Sequence, residues 1–264
     1  MKRFTLPAIL FLLFSLTLQA QTPEQVIQRH LETYAPIVDL ETMSDISYSG
    51  QLVVYHNVDR VARVMDEMAE KYGGRATNAT YFDYLSVDTD LGYKAFYLVE
   101  KKPGNTYEII QAFGYDGNDA WIYDNDSFRS MTPEEKKNNV EGPFFSLLLT
   151  GSYVKESLSV NIGYNGYIGL SFLDNQGVMH DYELKDYRLV SDTFIDSEGW
   201  TVTTYFKDYK KVEGQNLYLA SEQELVRRAP AGKGNGVQKM VFKLKEVSVN
   251  DPENWGYLKR PVKQ

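Results

Sequence analysis

The chain has 264 residues, 28 of them basic and 36 acidic, for a net charge of -8. Such a surface disfavours nucleic acid, whose binding depends on neutralising phosphates, and anionic membrane surfaces; the charge serves solubility instead. The sequence has no cysteine, which excludes a disulfide framework, a zinc–thiolate site and a cysteine nucleophile.

Lys2 and Arg3 precede an apolar run at 4–18, and Ala20 occupies a position suited to cleavage. Residues 1–20 therefore read as a signal peptide. The run is shorter than the ~20 apolar residues of a spanning helix, and it contains Pro7. Cleavage leaves Gln21 where a bacterial lipoprotein carries its acylated cysteine. The mature chain is thus expected to be soluble, exported and not itself lipidated. No repeat or composition break divides 21–264, which read as one domain.

Thr22, Pro23 and Glu24 open a helix as cap, first helical residue and first-turn acid. Val26, Ile27, His30, Leu31 and Tyr34 give it one apolar face. Residues 46–56 alternate as a strand. Val58, Val61, Ala62, Met65, Met68 and Tyr72 mark a second helix, ended by Gly73-Gly74. Strands follow at 81–87, 93–100, 108–115 and 120–123, separated by Asp-Leu-Gly, Lys-Pro-Gly-Asn and Asp-Gly-Asn turns. Thr132-Pro133 starts a third helix. In the second half, strands are expected at 168–173, 178–184, 201–208, 217–228 and 237–249, with a flexible glycine-rich hairpin tip at 231–236. This order predicts a mainly β (α+β) fold: a long antiparallel meander in one strongly curved sheet, with two or three helices over it.

Signals for chemistry are weak. His30, His56 and His180 lie in different elements, and no HExxH, GxSxG or P-loop spacing accompanies them. Ordinary, partly exposed histidines are the expectation. Asp116, Asn118, Asp119, Asp124 and Asp126 could suggest calcium, but hairpin turns account for the same residues through their backbone needs. No carboxylate pair stands out for glycoside hydrolysis. Catalytic residues, metals and cofactors are not expected. The informative segment is apolar: Phe144-Phe145-Ser146-Leu147-Leu148-Leu149. It reads either as a core segment or as a lid over an apolar cavity of the curved sheet.

The stretch from Phe113 to Trp121, with its Asp116-Gly117 turn, resembles a hairpin of the LolA/LolB-like family of periplasmic outer-membrane lipoprotein-sorting proteins. The helix start at Thr132-Pro133-Glu134-Glu135, the segment 204–214, the close from Val249-Asn250-Asp251-Pro252 to Pro261, and the first helix at 26–31 are similar to that family in the same order. Two departures stand out. The 58–72 helix looks like an insertion, and Leu217-Tyr218-Leu219 lacks the proline many relatives place after the turn. The resemblance implies an open half-barrel with helices as a lid over an apolar cavity. It further implies a monomeric carrier of acylated lipoproteins or lipids in the periplasm, working with inner- and outer-membrane sorting components. Candidate cavity and lid residues are Phe82, Phe96, Phe113, Trp121, Phe144, Phe145, Leu147, Leu148 and Tyr205. Alternation gives each strand two faces without saying which is inside. A protein-interaction or adaptor module using the same sheet, and a hydrolase, are the competing readings.

Overall fold

The computed structural model describes residues 21–36, 42–56, 60–139, 153–163, 165–230 and 237–261, with backbone only at 60–63, 67, 70 and 137–139. The signal-peptide segment, the glycine-rich loop and Phe144, Phe145, Leu147 and Leu148 lie outside the described residues.

Local sequence chemistry makes the helices. α1 (Pro23–Glu32) begins with a reciprocal capping box: the Gln25 amide donates to Thr22 Oγ1, and the Thr22 amide donates to the Gln25 side chain. α3 (Pro133–Asn139) repeats the device with Thr132 and Glu135. α2 (Arg60–Lys71) follows the first strand, and α4 (Asn254–Leu258) lies near the end of the chain.

The strands are β1 (Asp45–Tyr55), β2 (Ala79–Thr89), β3 (Lys94–Lys102), β4 (Thr106–Tyr115), β5 (Ala120–Asp124) and β6 (Ser127–Ser130) in the first half. In the second half they are β7 (Ser159–Ile162), β8 (Tyr167–Leu173), β9 (Met179–Lys185), β10 (Arg188–Ile195), β11 (Thr201–Lys211), β12 (Tyr218–Arg228) and β13 (Val237–Val249). They form one antiparallel sheet of 13 strands, β6-β5-β4-β3-β2-β1-β13-β12-β11-β10-β9-β8-β7. The two halves of the meander join where β1 pairs with β13, and the ends β6 and β7 do not pair, so the sheet stays open. The sequence reading missed β6, β7, β10 and α4. β10 escaped because its hairpin turn, Asp186-Tyr187, has positive φ at both residues without the usual Asn-Gly.

Register separates two faces. On the inner face, Ile46, Tyr48, Leu52 and Val54 of β1 stand opposite Val249, Val247, Phe242 and Met240 of β13. Gly50 sits at the bulge in this pair, and a Cβ there would lie 2.1 Å from the Lys243 carbonyl oxygen. α1 covers the far end of the same face, packing Val26 and Ile27 with Leu170, Phe172 and Leu184. The outer face carries Val53 and Val241 with Ala76, and separately Val87 and Ala95 with Leu258 of α4.

Of the 58–72 apolar stripe, the described side chains do not enter the core. Met65, Met68 and Tyr72 are exposed, while Asp66 is buried and accepts from the Thr77 amide at 2.8 Å.

Candidate functional site

The inner face is predominantly apolar, because side chains paired across neighbouring strands share a face. One row runs Phe82–Leu52–Phe242–Gln223–Phe206. Another runs Val247–Tyr48–Ser86–Phe96–Phe113–Ile122, with the Phe96 and Phe113 rings stacked at 5.6 Å. Of the sequence candidates, Phe82, Phe96 and Phe113 therefore come together here.

Trp121 and Tyr205 do not join them. Trp121 lies in the row Trp121–Gly114–Ala95–Val87, on the outer face, where its indole donates to the Leu258 carbonyl at 2.8 Å. Tyr205 pairs with Glu224 beside outer-face Val241, and its neighbour Phe206 takes the inner side. A period of two puts adjacent residues on opposite faces, and sequence alone leaves that choice open.

The site's most developed region is where α1 meets the β9–β10 hairpin. The two turn residues, Asp186 and Tyr187, hold φ of 50° and 66°. That left-handed backbone is uncommon outside glycine and costly for a bulky residue, and α1 clasps it from three directions. His30 Nδ1 donates to the Tyr187 carbonyl at 2.7 Å, the Arg29 guanidinium and, from just before the helix, the Gln21 side-chain amide both donate to the Tyr187 hydroxyl, and Arg29 stands 5.2 Å from the ring centroid.

Beside this clasp opens a cleft of about 790 Å³, floored by Ala35, Leu189 and Phe206 and rimmed by Arg188, Tyr209 and Tyr218. The volume falls within the ~300–1,000 Å³ of small-molecule sites. Ala35 and Tyr209 also pack with the Phe96 cluster, and Leu189 and Phe206 with the cluster under α1. The cleft thus joins the two apolar regions. The Tyr209 hydroxyl donates to the Leu189 carbonyl at 2.9 Å, and the Arg188 guanidinium stands 5.7 Å from the centroids of both tyrosine rings.

Two polar groups interrupt the apolar face. Asp88 pairs across strands with buried Lys94 and accepts from the Tyr48 hydroxyl at 3.0 Å. Burial raises the Asp88 pKa against the pull of Lys94, and burial lowers that of Lys94 against the pull of Asp88. Farther along, His180 is stacked on Phe172 at 5.6 Å, with Nδ1 2.9 Å from Asp192 and Nε2 3.8 Å from Asp174. Carboxylates meet both ring nitrogens, an arrangement that holds the imidazole in place. Burial raises the Asp192 pKa, and His180 opposes the rise. The expectation of partly exposed histidines is corrected: His30 and His180 are buried, and only His56 is exposed. Both sit on strand or helix faces turned toward the core, which their mixed sequence surroundings did not reveal.

The aspartate-rich hairpin is explained by its turn. Asp116 Oδ1 accepts from the Asn118 and Asp119 amides, and Asp119 pairs with Arg260 at 2.7 Å. Backbone bonds, led by that from Asp119, lower the Asp116 pKa.

An open antiparallel sheet with one predominantly apolar face and a cleft at its helix-covered end belongs to the class of open single-sheet β folds. Among solved structures, a domain from Vibrio parahaemolyticus, provisionally described as an outer membrane lipoprotein-sorting protein domain, shares this architecture. It matches with a TM-score of 0.51 and 15% identity, covering 90% of this chain and 100% of that one. The likeness shows the fold. A structure of MucB in complex with MucA(peri) covers 87% of this chain and 99% of that one at 6% identity, and its TM-score of 0.20 carries no argument. No protein-family model and no curated protein matches the sequence. Among the described residues, no helix is long and apolar enough to cross a membrane.

Proposed function

We propose that this protein is a soluble periplasmic carrier that shelters the acyl chains of lipoproteins or lipids on the inner face of its sheet and moves them toward the outer membrane. The observation that carries the reading is the apolar inner face, whose two clusters, one reaching Ile122 and the other Phe206, meet in the cleft beside α1. The lipoprotein-sorting description of the Vibrio parahaemolyticus domain with the same fold supports it.

The energetics define the task. An acyl chain of ~15 methylenes costs on the order of 12 kcal/mol to keep in water, at ~0.8 kcal/mol each. A carrier must offset most of that cost yet still release its cargo. An open sheet suits both requirements, because its unpaired ends let the face widen without breaking strand pairs. No catalysis is part of the proposal.

Lipid extraction and mass spectrometry of the protein as purified test this reading. An acylated species at near-stoichiometric amount is expected. Protein that carries no lipid and, once stripped, takes up neither long-chain probes nor lipopeptides would overturn it.

An adaptor role draws on a different observation, the exposed Met65 and Met68 of α2 and Tyr72 just after it.

A further inference from the structure

The cleft beside α1 contains an arginine, Arg188, with which no described carboxylate pairs. Among the described residues, Arg188 forms no hydrogen bond or ion pair; its guanidinium meets only the Tyr209 and Tyr218 rings, each at 5.7 Å. The other charged groups of the lining differ. Lys185 donates to the Asn165 carbonyl and stands 4.4 Å over the Tyr167 ring, and Glu32 accepts from Gln28 at 3.2 Å. Aromatic faces on two sides fix a guanidinium in direction while leaving its N–H fork unused. That fork matches a carboxylate or a phosphate oxygen pair.

We infer that Arg188 is the head-group clasp of the cleft, binding an amphiphile whose acyl chain ends in a single negative charge. This rests on the carrier reading above and adds the chemistry of the ligand's polar end. The geometry supports both halves. Leu189 and Phe206 lie beside the arginine and lead the tail toward the apolar face, while Tyr209 and Tyr218 hold the head-group partner at the rim. The charge count limits the head to a monoanion. Glu32 and Asp186 also line the cleft and offset Lys185 and Arg188, so a second negative charge on the head finds no further cation in the lining. A fatty-acid carboxylate and a phosphodiester lipid share the required chemistry.

The test compares cis-parinaric acid with its methyl ester, and lysophosphatidylglycerol with inorganic phosphate as competitors, on the full mature chain. Wild-type protein is expected to bind the acid about tenfold or more tightly than the ester, as a charge-assisted bond implies. Arg188→Gln should remove that preference, weakening the acid about tenfold more than the ester. Displacement by lysophosphatidylglycerol assigns the phosphodiester as a second accepted head, and failure to displace restricts the head to carboxylate. Displacement by inorganic phosphate alone would overturn the requirement for an acyl chain. Equal binding of acid and ester by wild type overturns the role of Arg188 and leaves the carrier reading standing. Binding of neither overturns the carrier reading, and the inference with it.

Discussion

The imidazole of His30 and the carbonyl of Tyr187 meet at 2.7 Å, tying the helix that covers the sheet's far end to the strained turn beside the cleft. A carbonyl accepts only, so Nδ1 carries the proton. Among the described residues, Nε2 is left buried without a hydrogen-bond partner.

The burial of this imidazole predicts acid sensitivity. Burial lowers the His30 pKa from 6.5 to about 4, although the Tyr187 bond opposes the shift. Between those values the unfolded chain binds a proton that the folded chain refuses, so stability falls as pH drops from 6.5 toward 4. The full effect is about 3 kcal/mol. Urea unfolding at pH 7, 6 and 5 should show this loss in the wild type and a flatter profile in His30→Gln. Identical slopes would contradict the assignment.

Gly114 stands directly opposite Trp121, and a Cβ there would lie 2.4 Å from the indole Cζ2. Gly114→Ala should therefore displace the indole and cost about 1–3 kcal/mol through overpacking. Loss of the Leu258 bond adds to that. A lowered urea midpoint with altered tryptophan fluorescence is the expected readout; wild-type values for both would show that the pocket relaxes freely.

Asp45 anchors the C-terminal segment. Its carboxylate accepts from Ser44, the Asp251 amide, the Asn254 side chain at 2.7 Å and the Trp255 indole at 3.1 Å. Burial opposes ionisation, but these bonds outweigh it and lower the Asp45 pKa below 3.8. The stabilisation is complete above that value and is lost as pH falls through the lowered pKa. Asp45→Ala should cost about 3 kcal/mol by removing charged hydrogen bonds and speed trypsin cleavage at Lys259. Unchanged proteolysis would mean that the segment is held by α4 packing alone.

The two faces predict opposite outcomes for two aromatic residues that sequence alone grouped together. Phe82→Gln, on the inner face, should weaken uptake of an acyl probe about tenfold, the equivalent of one buried aromatic contact. Tyr205→Gln, on the outer face, should leave uptake unchanged. Equal losses at both positions would place the ligand elsewhere.

The sequence by itself determined the features with local causes. Thr22 and Gln25, like Thr132 and Glu135, cap their helices through side chains three residues apart, and Asp116-Gly117 turns the chain through its own backbone preferences. Most strands, and with them the mainly β class, were legible for the same reason. Tertiary structure decided what depends on register. Phe96 and Trp121 are both buried aromatics, but pairing through Phe113 and Gly114 sends them to opposite faces. The burial of His30 and His180 and the outward turn of Met65 and Met68 were equally out of reach. The cleft brings Ala35, Arg188, Phe206 and Tyr218 together from four separate parts of the chain. Such proximity is set by the closing of a long meander, and no local spacing encodes it.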